Sequence, residues 1–137
     1  MNSMSKGKTY ISTVSARTFS SGATRDVQSN KPEFVGYEST MVQREFGRYM
    51  LKHQTLLNGE HRTSDNWKKG MPRRVYLESL RRHYLDAVDA VTGDRPPPYP
   101  SLDREMALDA LMAIIFNAQG LAREILLDRD LKEEEDE

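Results

Sequence analysis

Cysteine is absent from the 137 residues, which excludes disulfides and Cys-ligated zinc or iron–sulfur sites. No apolar run approaches the roughly 20 residues of a membrane span, so no membrane partner is expected. Strand-like alternation is missing along the whole chain. A strong charge of either sign is missing too, the net charge being −1. Residues 128–137 hold seven acids and two bases, and the preceding 127 residues hold 18 bases against 14 acids. That surplus is small, and no ladder of aromatics interleaves the cations, which argues against nucleic acid as a partner. The N-terminal MNSMSKGKTYISTVSARTF lacks the continuous hydrophobic segment of a secretory signal, and a cytoplasmic protein is the economical expectation.

What remains is a polar chain, 30% charged and 37% hydrophobic, of a length that suits one domain. The pattern divides it into a loosely docked or disordered arm over 1–21, a helical domain over 22–128 and an acidic tail over 129–137. Three helices are expected. The first, about 37–57, carries Met41, Val42, Phe46, Tyr49, Met50 and Leu56 as an apolar stripe, with His53 inside it as a core or boundary residue. The second runs from Arg73 to Val91 behind Pro72, with Leu77, Leu80, Tyr84, Val88 and Val91 as its packed side and Glu78, Arg82 and Asp89 on another face. After the stiff connector DRPPPYPSLD, the third begins near Ser101–Asp103 and reaches about Asp128. It is apolar nearly all round and therefore the central element. The fold class is all-α: a three-long-helix bundle whose modest core predicts completion by self-association as a homo-oligomer.

The chemistry concentrates between Asn66 and Asp109. NWKKG places Trp67, Lys68 and Lys69 ahead of a helix N-terminus, where free N–H groups and the dipole favour an anion. The only tryptophan either pins this loop to the core or forms a pocket wall. Arg25 and Lys31, in GATRDVQSNKPEF, are further cations that a folded loop would bring to a ligand. Glu78 and Asp86 on the second helix face Asp103, Glu105 and Asp109 on the third. Glu105 and Asp109 are one turn apart and share a side. Facing acids of this kind can hold Mg²⁺ or Mn²⁺; equally, acids near a helix start are ordinary exposed groups.

The ordered set GATRDVQSNKPEF, NWKKG, ESLRRH and TGD…SLDREMALDALMAIIFNAQGL resembles a phage-associated family of dATP/dGTP diphosphohydrolases (N-terminal type), over roughly residues 22–121. Asn66, Trp67, Gly70, Arg82, His83, Asp103, Glu105 and Asn117 fall at that family's NW-x-x-G, Arg-His, Asp-x-Glu and Asn-Ala positions. The chain departs from the pattern at Asn30, Asp94 and Ala110 and in the RPPPYPS insertion. The helical MazG-like pyrophosphohydrolases are a more distant likeness. The resemblance implies metal-dependent hydrolysis of a purine (deoxy)nucleoside triphosphate to monophosphate and pyrophosphate, in the cytoplasm of a phage-infected cell. Taken with the facing acids, this reading makes Glu78 and Glu105 the expected catalytic carboxylates, and Glu78, Asp86, Asp103, Glu105 and Asp109 the expected metal-side acids, of which Asp103 and Glu105 fall at the family's Asp-x-Glu. Arg25, Lys31, Asn66, Trp67, Lys68, Lys69, Arg82, His83 and Asn117 would then bind substrate. The departures leave a second expectation, a catalytically silent helical protein that binds a nucleotide or a protein partner.

Overall fold

The computed structural model describes residues 16–26, 31–98 and 102–132. The arm before Ala16, Asn30, the last residues of the proline insert and the tail after Lys132 lie outside the described residues. Contacts divide the chain into two units, Met1–Glu38 and Ser39–Glu137.

In the first unit, β1 (Ala16–Thr18) pairs antiparallel with β2 (Thr24–Asp26), with Arg17 opposite Arg25. Gly22 turns the ribbon at φ +89°, a backbone that favours glycine. Periodicity had pointed to no strand at all. Three-residue strands with every residue exposed leave no buried face, and so no alternation to read.

The second unit holds three helices: α1 (Thr40–Lys52), α2 (Arg73–Thr92) and α3 (Arg104–Leu126). Ser39 caps α1, its Oγ accepting from the Val42 N–H at 3.3 Å. The helix stops at Lys52, short of the expected 57, because Gln54–Arg62 folds back on itself. The Arg62 N–H donates to the Gln54 carbonyl at 2.8 Å, and Gly59 turns at φ +84°. His53 is therefore an exposed C-cap and not a core residue. Pro72 opens α2, and Gly93 closes it in the left-handed region at φ +69°. Asp103 caps α3, with Oδ1 accepting from the Met106 N–H at 3.1 Å.

The packed side of α2 differs from the expected one. Of the expected residues Leu80 is half-buried and Leu77, Tyr84, Val88 and Val91 are exposed, while Tyr76, Ala87 and Ala90 are buried. On α3, which packs on α2, the buried residues include Ala107, Ala110, Ala113 and Gly120. Small residues let two antiparallel helices approach closely, so alanine and glycine dominate the buried set, with Tyr76 as its one aromatic. Tyr76 fills the gap that Gly120 leaves: a Cβ at 120 would overlap its ring. α3 supplies most of the buried residues, as its composition predicted. It is also long and apolar enough to pass for a membrane span by length and composition alone, a test that core helices pass as well. α1 touches α3 far less extensively than α2 does. That loose fit leaves room for clefts beneath it.

Candidate functional site

The fold-back after α1 returns the chain under that helix. Asn66–Lys69 forms one 3-10 turn, which Gly70 ends at φ +88°. The Trp67 ring meets Phe116 edge-on at 6.4 Å and lies 5.6 Å from the Arg123 guanidinium. Both alternatives raised by the lone tryptophan thus hold together, since it pins the loop to α3 and walls a cleft. The Lys68 carbonyl accepts from Arg123 at 2.9 Å and from Arg129 at 3.3 Å. Arg129 in turn grips Glu124, which is 1% exposed, through two nitrogens, one at 2.8 Å. A side chain at Gly70 would collide with both members of this pair. The first residues of the acidic tail are therefore docked: Arg129 holds the loop, and Asp130 accepts from the Arg73 N–H at 3.3 Å.

Those hydrogen bonds from Arg129 hold the Glu124 carboxyl below its ordinary value of 4.5. A carboxylate favoured in the fold contributes stability in full above that ordinary value. The contribution is lost as pH falls below it and through the depressed value. Glu124→Gln keeps the shape and strands the Arg129 charge. We expect a melting temperature lower by on the order of 10 °C at neutral pH. In thermal melts, parent and variant should converge as the pH is lowered below 4.5. A constant gap across that range would refute the ion-pair account.

Two clefts flank α1. The first, of about 890 Å³, is lined by Phe46, Met50, Trp67, Met71 and Phe116, with Asn66, Lys69, Gln54 and Gln119 as polar groups. The second, of about 450 Å³, is acidic: Asp86 and His83 from α2 face Asp103, Glu105 and Asp109 from α3 over Met106 and Ala110. Tyr49 and His53, with rings 4.4 Å apart, line both clefts. The acids are not equally available. Lys52 ion-pairs with Asp109, and that hydrogen bond raises the lysine above its ordinary value. Arg95 lies 3.5 Å from Asp103, and His83 lies 4.0 Å from Asp86. Burial pushes the Tyr49 hydroxyl up, and the Asp109 charge adds to the effect. Among the described residues, no three His or carboxylate side chains converge as a ready metal cage.

Of the expected site residues, Asp86, Asp103, Glu105, Asp109 and His83 share the acidic cleft, and Asn66, Trp67 and Lys69 share the aromatic one. Lys68 contributes its carbonyl to the anchoring and keeps an exposed side chain. Glu78 lies outside both clefts, exposed and 3.6 Å from Arg74. It stands eight residues before Asp86, roughly 12 Å along the helix and about 80° round it. Arg82 is exposed on α2 and lines neither cleft. Asn117 is buried, and its amide donates to the Ala113 carbonyl at 2.8 Å, which gives it a structural role. Arg25 and Lys31 belong to the first unit.

Tyr49, Lys52, Phe116, Arg123 and Arg129 were not expected at the site. Lys52 had a usable signal, a cation in the last turn of a helix ahead of a loop rich in polar groups. The others depend on tertiary placement. Comparison with protein-family models, with curated proteins and with solved structures finds no match to this chain.

Proposed function

We propose that this protein binds a purine (deoxy)nucleoside triphosphate across the two clefts and hydrolyses it to monophosphate and pyrophosphate, adjusting a nucleotide pool in phage infection. The observation that carries this reading is the wall of Tyr49 and His53 shared by an aromatic cleft and an acidic one. A nucleotide has the same division, a flat apolar base joined to a charged chain that travels with a cation. The base packs against the wall that Trp67 and Phe116 form together, with the Asn66 and Gln119 amides at its edge, and Lys69 offsets phosphate charge.

The donors of the acidic cleft are oxygen ligands. They suit Mg²⁺ or Mn²⁺ held by one or two carboxylates together with substrate phosphates and retained waters. Glu105 and Asp86 are the cleft acids that make no close ion pair with a lysine or arginine among the described residues, although the Glu105 charge adds to the rise of Lys52. When bound, the cation supplies charge neutralisation and lowers the pKa of a coordinated water. Glu105 takes the proton as a water oxygen attacks the α-phosphorus. The α–β phosphoanhydride bond breaks, and pyrophosphate carries away the bonding pair.

The Lys52–Asp109 ion pair favours a second reading. A lysine that neutralises a cleft acid weakens cation binding, and a silent nucleotide-binding protein follows. One experiment separates the two: a panel of common ribo- and deoxyribonucleoside triphosphates with Mg²⁺ and with Mn²⁺, scored for pyrophosphate. Release with at least one purine substrate is expected. Tight binding without products would assign the silent role, and neither binding nor products would refute both readings.

A further inference from the structure

We propose that the outer face of the α2–α3 hairpin seats a second copy of this chain. Both clefts occupy one side of the hairpin, because Asp86 of α2 meets Glu105 and Asp109 of α3 there. Measured from the buried seam, Leu77, Tyr84, Val88 and Val91 lie about 90° round α2 in the opposite sense. Leu111, Ile115, Ile125 and Leu126 lie on the same outer side of α3. All eight are between 36% and 86% exposed.

The area fits the occupant. At roughly 200 Å² for a large side chain in the open, these eight present about 800 Å², what one partner contributes to a standard interface. That exceeds the largest apolar patch of a typical monomer, about 300–600 Å². Between Leu77 and Val91 and between Leu111 and Leu126 no charge stands on the stripes except Arg81 at one edge, and Arg104, two turns before Leu111 on the same side of α3, bounds one end. The charges are at the rim, where Arg74 pairs with Glu78 and Arg81 lies 5.3 Å over the Tyr84 ring. A partner chosen by charge would leave ionic groups in the face, whereas a self-complementary apolar face suits a two-fold axis. Face to face, two antiparallel hairpins make a four-helix core. The protomer also needs the burial, because Tyr76 and Glu124 are its largest fully buried side chains. The clefts, on the far side, stay open in such a dimer.

Light scattering on the full chain across a concentration series tests the state, with twice 15.7 kDa expected. Val88→Glu with Ile115→Glu should give a monomer, but that variant could simply unfold. A second measurement therefore uses the lack of native cysteine. A short bis-maleimide should couple Ile115→Cys chains into covalent dimers and leave Gln43→Cys chains, labelled on exposed α1, uncoupled. A parent that stays monomeric at its highest soluble concentration overturns the proposal, whatever then covers the face. So does a dimer in which Ile115→Cys couples no better than Gln43→Cys.

Discussion

Glu105→Gln is expected to lower triphosphate hydrolysis by roughly a hundredfold or more while leaving the fold intact. Glutamine preserves the outline of the side chain and its hydrogen bonding but neither accepts the water proton nor binds a hard cation well. Asp109 is already committed to Lys52, and Asp103 caps α3 and faces Arg95. Asp86, across the cleft on α2, is the remaining acid, and it lies 4.0 Å from His83. The unliganded variant should melt at or slightly above the parent temperature, since one of the four carboxylates lining the cleft has lost its charge. Stabilisation by Mg²⁺ plus nucleotide should shrink in parallel with activity. Hydrolysis assays and melts on parent and variant together check this. Parental rates in the variant would remove Glu105 from the chemistry.

The second large effect is on stability. Gly120→Val puts two branches where the Tyr76 ring lies, and that ring is wholly buried between α2 and α3. With no route out of the seam, the helices have to separate, at a cost of about 3 kcal/mol or more. Denaturant unfolding measures it. The stricter form is a double-mutant cycle: Tyr76→Leu frees space, so Gly120→Ala should cost clearly less in that background than alone. Equal costs in both backgrounds would mean that the two residues are not in contact.

The ends of α2 and α3 were legible because their signals are local. Pro72, Gly93 and Asp103 act through backbone geometry and capping and need no partner. The side on which α2 packs was not legible. A stripe such as Leu77, Tyr84, Val88 and Val91 marks an apolar side of the helix without saying what packs on it, and in the protomer these four are exposed. Alanine and glycine, which let α3 close in, are nearly silent in a periodicity argument. The site divides the same way. Glu105 and Asp109 were readable from a spacing of four, and Trp67 from its rarity. Glu78 looked equivalent to Asp86 until the distance along the helix separated them. Lys52 and Arg129 reach the clefts and the loop from 57 and 61 residues away from their partners Asp109 and Lys68, a proximity that no window along the chain contains.

The anchoring of the NWKKG loop through the Lys68 carbonyl makes its position indifferent to which side chain stands at 68. Main chain is gripped and side chain is left over, so the electrostatics of that rim can be rewritten one charge at a time on an unchanged scaffold. Position 68 is thus a place where charge can be varied while the fold is held constant, the separation that a charge-reversal series needs.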